Sequence, residues 1–219
     1  MTHHRALFVS DVHVGARASQ GARFRAWLER NRADVTYVIG DLFDGAHALR
    51  APDLVETIKV LARAPGRIVY VPGNHDALFR RLAGVYGRLE ICARATHTAL
   101  NGRRLLVLHG DEFDGSLRYG LPTLGSIVDS YARRIFPARR IEAATQAVNR
   151  WATGGAKLGE RLGAAAREAG CVGIVTGHFH NPGLRTLPCG TEHWDAGDWL
   201  SHCTAICESH YGNFELLRG

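Results

Sequence analysis

The sequence predicts a layered α/β domain, and three observations carry that prediction. Its N-terminal part alternates short apolar runs with amphipathic helical stretches. An Asn-Gly step later joins two alternating segments as a hairpin. The length of 219 residues and the 46% apolar content suit one substantial globular domain.

Ala6–Ser10 is read as a buried strand. Phe24, Trp27 and Leu28 have the spacing of an amphipathic helix. Val35–Ile39 forms the second expected strand, ended by Gly40. Pro52 introduces a helix expected over Asp53–Ala64, with Leu54, Val55, Ile58, Leu61 and Ala62 on its buried face. Pro65-Gly66 stops it, and Ile68–Val71 is a third strand closed by Pro72-Gly73. This β-α-β-α-β order is the signature of an α/β layer structure. Thr96–Leu100 and Arg104–Leu108 flank Asn101-Gly102 as a hairpin.

From Asp114 to Gly170 the character changes. Strand signals fade, and helices are expected at Leu124–Ile135, Ile141–Trp151 and Leu158–Ala169. Arginines, among them Arg133, Arg134, Arg139 and Arg140, interleave there with apolar residues. We read one domain over residues 1–219 with a helical cap inserted at about 115–170. Val172–Thr176 resumes the sheet, and Glu192–Asp195, His202–Glu208 and Phe214–Leu217 are expected as closing antiparallel strands.

The net charge is +6 and almost all of it is arginine, since Lys59 and Lys157 are the only lysines. Guanidinium forks match phosphate oxygens, so an anionic partner is expected. Aromatic residues do not interleave with basic ones along a groove, which argues against nucleic acid. No apolar run reaches the roughly 18 residues of a membrane span. Met1–Arg5 lacks the apolar core of a signal peptide, so a cytoplasmic location is expected. Cys92, Cys171, Cys189, Cys203 and Cys207 are odd in number and scattered, hence reduced thiols. The sequence sets no oligomeric state.

Five short pieces carry the chemistry: Asp11-Val12-His13, Gly40-Asp41-Leu42-Phe43-Asp44, Gly73-Asn74-His75-Asp76, His109-Gly110-Asp111 and Gly177-His178-Phe179-His180. Each follows a strand-like run, so their carboxylates, imidazoles and amide gather along one rim of a sheet. That donor mix suits hard or borderline divalent ions. Asp11 and His13 lie two apart, which on a regular strand would place them on opposite faces. A curl after the strand brings both to one ion. Asp41, beside Gly40, can bridge two ions. Asp76 and Asp111 are read as carboxylates that cap loops. His47, His97, His193, His202 and His210 have no ligand-like context, and Trp194 and Trp199 are read as core aromatics.

The ordered series resembles the calcineurin-like metallophosphoesterase superfamily. That resemblance implies a four-layer α/β/β/α sandwich of two mixed sheets. It implies one metal held by Asp11, His13, Asp41 and His180, and another by Asp41, Asn74, His109 and His178. It further implies hydrolysis by a hydroxide held between two cations, Mn²⁺ being expected and Fe²⁺ or Zn²⁺ also fitting. His75 is the candidate proton donor, with Asp44 its partner. The Gly-Asp-Leu-Phe-Asp piece, the tail Asp195-Ala196-Gly197-Asp198-Trp199 and the arginine-bearing insertion are similar to the UDP-2,3-diacylglucosamine pyrophosphohydrolase family. The resemblance implies a lipid-linked nucleotide pyrophosphate as substrate and contact with the inner membrane face; the amphipathic basic cap suits that substrate physically, with Arg133, Arg134, Arg139 and Arg140 as candidate substrate-binding residues. Alternatives are a soluble phosphodiesterase or cyclic-nucleotide hydrolase, or a non-catalytic metal-containing scaffold.

Overall fold

The computed structural model describes residues 1–113 and 155–219. Within them the chain forms two mixed sheets. The first contains β1 (Thr2–Val9), β2 (Asn31–Val38), β3 (Arg67–Tyr70), β4 (Gly84–Tyr86), β5 (Leu89–Ile91), β11 (Thr204–Glu208) and β12 (Phe214–Arg218), in the order β12-β11-β1-β2-β3-β5-β4. The second contains β6 (Ala95–Thr98), β7 (Arg104–Val107), β8 (Gly173–Thr176), β9 (Gly183–Thr186) and β10 (Glu192–Asp195), in the order β6-β7-β8-β10-β9. Helices α1 (Gly21–Arg30), α2 (Gly45–Ala48), α3 (Asp53–Arg63) and α4 (Gly155–Glu168), with 3-10 turns at Ala77–Leu82 and Asp111–Phe113, complete the described elements.

Alternation along the strands builds the layers. On β1, Ala6 and Phe8 face the second sheet, where they meet Leu105, Val107, Val175 and Trp194. The intervening Leu7 and Val9 face the other way and pack with Phe24, Trp27 and Leu28 of α1 and Leu61 of α3. Across the sandwich, Leu106 and Ile174 turn outward onto Leu162, Ala165 and Ala166 of α4. A period of two thus yields helix, sheet, sheet, helix, the four-layer order expected.

Several elements depart from the sequence reading. β1 begins at Thr2, because Thr2, His3 and His4 pair with Asn31, Arg32 and Ala33 of β2. Strands β4, β5 and β9 were not foreseen. Each is three or four residues long and lacks the continuous apolar run that marks the equally short β3, β7 and β8. β10 does not simply close a sheet antiparallel: it runs parallel to β8 and antiparallel to β9. The buried stripe of α3 also differs. Thr57 and Leu61 are buried and Leu54 and Val60 pack on the core, while Val55 is 55% and Ile58 48% exposed. Thr57 can occupy the inner stripe because its hydroxyl donates to the Asp53 carbonyl at 2.8 Å.

The expected helix at Leu158–Ala169 is found as α4. Those at Leu124–Ile135 and Ile141–Trp151, and hence most of the expected cap, lie outside the described residues. Cys171, Cys203 and Cys207 are buried thiols, and Trp199 is fully buried. Among the described residues no helix is long and apolar enough to cross a membrane.

Candidate metal centre

Strands β1, β2 and β3 run parallel in the first sheet, and β7, β8 and β10 in the second. Their carboxyl ends meet at one rim, where ligands gather in open α/β sheets. Asp11 and His13 follow β1, Asp41 and Asp44 follow β2, and Asn74 and His75 follow β3. His109 follows β7, and His178 and His180 follow β8.

The backbone there is unusual. Asp11 (φ 53°), His13 (φ 49°), Asp41 (φ 48°), His178 (φ 62°) and His180 (φ 48°) all occupy the left-handed region. Among the described non-glycine residues only Cys203 (φ 50°) joins them. Such a conformation costs an L-residue about 1–2 kcal/mol and persists where surroundings over-determine it. Here they do. The Asp11 amide donates to the Gly40 carbonyl at 3.1 Å, His13 to Asp41 at 2.9 Å, and Trp199 to Asp11 at 2.9 Å. This curl lets Asp11 and His13 share one site despite their spacing.

Two donor groups of candidate ligands result, beside a third made by His13, Asp44 and His75. Asp11, His13 and His180 form one, with their ligand atoms within 4.8 Å of one another; Asp41, His109 and His178 form another on the same criterion. Asp41 stands between them, its Oδ2 3.7 Å from His13 Nε2 and 3.5 Å from His109 Nε2. His180 Nε2 lies 3.0 Å from Asp11 Oδ1, and the His178 amide donates to Asp11 Oδ2 at 2.9 Å. Glycine makes this density possible. A Cβ at Gly177 would strike Ser10 and Asp11, and one at Gly73 would strike Asp41 and His109.

The residues fit a pair of divalent cations. Asn74 Oδ1 and His109 Nε2 are buried without a hydrogen-bond partner among the described residues. A buried polar atom left so is costly, and a cation would satisfy both. His109 Nδ1 contacts the Ile39 carbonyl at 2.9 Å, which fixes its proton there and leaves Nε2 as the free donor.

The field of the site points the same way. Burial opposes ionisation of Asp11, but His180 and His13 hold its carboxyl well below the usual range. Burial is likewise outweighed at Asp41, where His109 and then His13 lower it. Burial would lower His13, yet Asp11 and Asp44 raise its imidazole to about 10. His109 also rises to about 10, against burial, because of Asp41. Carboxylates that keep imidazoles protonated this far attract positive charge strongly.

His75 stands beside these groups, about one-third exposed, with Nδ1 2.8 Å from Asp44 Oδ1. Asp44 is held below its usual range by His13 and His75. Asp76 braces the loops, as expected. Its carboxylate accepts from the Leu42 amide at 2.8 Å, the Gly73 amide at 2.6 Å and the Tyr70 hydroxyl at 2.5 Å. Asp111 accepts from Arg80 at 2.9 and 2.8 Å.

The sequence reading missed Asp198. Its Oδ2 lies 3.5 Å from His180 Nδ1 and 2.5 Å from His202 Nδ1, so His202 does have a place near the site. Oδ1 of Asp198 accepts the Leu200 and Ser201 amides at 2.9 and 2.7 Å. The signal for it was its place in the tail Asp195-Ala196-Gly197-Asp198-Trp199 that carries the family resemblance. Asp195, also buried there, accepts from Gly197 and Asn181, and burial pushes it up to about 7. His97 and His193 are buried inside the fold. His97 contacts Glu208 at 2.6 Å, and His193 contacts Thr176 at 2.8 Å. His3 and His210 stack near Asp34 on the surface. Arg133, Arg134, Arg139 and Arg140 lie outside the described residues.

UDP-2,3-diacylglucosamine hydrolase of Serratia proteamaculans is 30% identical over 114 residues, 48% of this chain and 47% of the relative. In that protein and the one from Shewanella oneidensis the chain spans about half the relative's length, 47% and 48%. The enzyme of the same name from Shewanella piezotolerans is 23% identical over 97% of both chains. Among solved structures, Chaetomium thermophilum Vps29 shares the fold at a TM-score of 0.51 and 10% identity, covering 97% of this chain and 92% of that one. Residues 4–182 match the profile described as calcineurin-like phosphoesterase. The chain belongs to the calcineurin-like phosphoesterase family.

Proposed function

We propose that the chain is a metal-dependent hydrolase of a phosphate or pyrophosphate ester, and that its substrate is a lipid-linked nucleotide pyrophosphate resembling UDP-2,3-diacylglucosamine. The observation that carries the proposal is the convergence of Asp11, His13, Asp41, Asn74, His109, His178 and His180 from both sheets, with orphaned donor atoms on Asn74 and His109. The relatives named for that substrate support its class.

In this reading Asp11, His13, Asp41 and His180 hold one cation, and Asp41, Asn74, His109 and His178 the other. Bound there, two divalent cations supply Lewis acidity, acidifying water and drawing negative charge from the phosphoryl group. We favour Mn²⁺ for this mix of carboxylate, amide and imidazole donors; Fe²⁺ and Zn²⁺ suit it too. The remaining chemistry belongs to His75. Its Nδ1 proton is fixed by Asp44, so Nε2 is the nitrogen turned to substrate. A proton on Nε2 hydrogen-bonds a phosphoryl oxygen or passes to the departing oxygen. A lipid-linked substrate brings the chain to a membrane surface, and the inner face is the location we infer.

The test is a hydrolysis screen with Mn²⁺ over UDP-diacylglucosamine, CDP-lipids, cyclic nucleotides and bis(p-nitrophenyl) phosphate. UDP-diacylglucosamine should have the highest kcat/KM; a cyclic nucleotide in first place would overturn the substrate. His75→Ala should lower kcat about 10²–10⁴-fold, the usual contribution of a general acid. Bound manganese, measured by elemental analysis, should stay the same. A fully active variant would remove His75 from the mechanism.

A further inference from the structure

We propose that a cavity beside the metal centre binds the phosphate-bearing part of the substrate that lies beyond the scissile phosphorus. This rests on the phosphoesterase reading above and narrows its substrate to esters with a second anionic group. The cavity has a volume of about 880 Å³ and is walled by the loops that follow β1 and β2. Small-molecule sites commonly enclose about 300–1,000 Å³, so a nucleoside phosphate fits.

Its position is fixed by the same loops that deliver the ligands. Gly15 on its wall lies two residues beyond His13, and Ala46 two residues beyond Asp44. A bridge between Val14 and Phe43 joins the two loops. At Gly15 (φ 104°) a Cβ would sit 2.6 Å from the Ala48 amide nitrogen, so the loops touch backbone to backbone. A ligand in the cavity therefore lies next to the residues that position His13 and Asp44.

Its charge selects the occupant. Arg17, His47 and Arg50 line it and are exposed. None of the three side chains makes a hydrogen bond or ion pair among the described residues. The one acid on the wall, Asp53, is already paired with Arg25 at 2.7 Å. Two guanidinium forks without a counter-ion, facing a space that opens beside a phosphoryl-binding centre, match phosphate oxygens bidentately. Leu49, 79% exposed at the edge, offers apolar surface for a sugar or base.

The test compares the manganese-loaded full chain with the Arg17→Ala/Arg50→Ala variant. Two substrates are used: UDP-diacylglucosamine, which has a second phosphate, and bis(p-nitrophenyl) phosphate, which lacks one. The ratio of their kcat/KM values should move roughly a hundredfold against the UDP ester, through KM rather than kcat, as expected for two lost charge-assisted hydrogen bonds. UMP binding measured by calorimetry should weaken by a similar factor. An unchanged ratio together with unchanged UMP affinity overturns the cavity as a binding site. Wild-type chain that hydrolyses neither ester would sink the phosphoesterase reading instead, and UMP calorimetry would still decide the cavity.

Discussion

Asp198 shows how one carboxylate can set a candidate metal-ligating histidine. It sits against Nδ1 of His180, whose Nε2 faces Asp11, so it orients the ring and enriches its basicity. Asp198→Asn keeps an oxygen for the Leu200 and Ser201 amides but removes the charge. Manganese affinity should fall about 10–100-fold, read by titration with a competing chelator; an unchanged affinity would reduce Asp198 to a loop cap. His193 makes a separate prediction. Burial lowers its imidazole from 6.5 to about 4. Below pH 6.5 the unfolded chain takes up a proton that the folded chain refuses. Stability present above pH 6.5 is therefore lost as pH falls toward 4, by up to about 3 kcal/mol. Asp195, raised to about 7 by burial, has the opposite sign: it disfavours the fold as pH rises from 3.8 through 7. The difference in urea stability between wild type and His193→Gln isolates the histidine. It should shrink at acid pH relative to neutral, and a constant difference would refute the assignment.

At the scale of elements, the readable signals were those repeated over enough residues. Continuous apolar runs leading into Asp, Asn or His announced β1, β2, β3, β7 and β8, and with them nearly every candidate ligand. Asp198 was hidden because its partner His180 comes from another loop, and a contact between loops leaves no periodicity. The left-handed turns were hidden too, since Asp and His do not announce a positive φ as glycine does. Helix α3 was legible as a helix, but its face was not. Two adjacent stripes compete on it, and Thr57 in the buried one is a polar residue whose hydroxyl is satisfied within the helix. Substitution separates the stripes. Leu61→Ala should destabilise by about 2–5 kcal/mol in denaturant unfolding, whereas Ile58→Lys should stay within about 0.5 kcal/mol. The reverse order would restore the stripe expected from sequence.

For the whole molecule, the centre lies on the seam of the sandwich. Asp11, His13, Asp41 and Asn74 come from the first sheet, and His109, His178 and His180 from the second. A cation held by both acts as a fastener between the sheets, and binding only the folded state must stabilise it. Saturation at 100 times the dissociation constant contributes about 2.7 kcal/mol. The melting temperature should therefore climb with manganese, return with a chelator and respond weakly in Asp41→Asn. A melting temperature indifferent to the metal would show that the two rims do not close on it.

The left-handed candidate ligands carry a practical lesson for anyone wishing to trap a bound substrate. Alanine at Asp11 or His180 removes a donor and leaves a residue ill-suited to a positive φ, so the loop relaxes and the trap deforms. Asparagine visits that conformation more readily. Inert versions of this protein meant for capturing its ligand should therefore be built with asparagine at those positions.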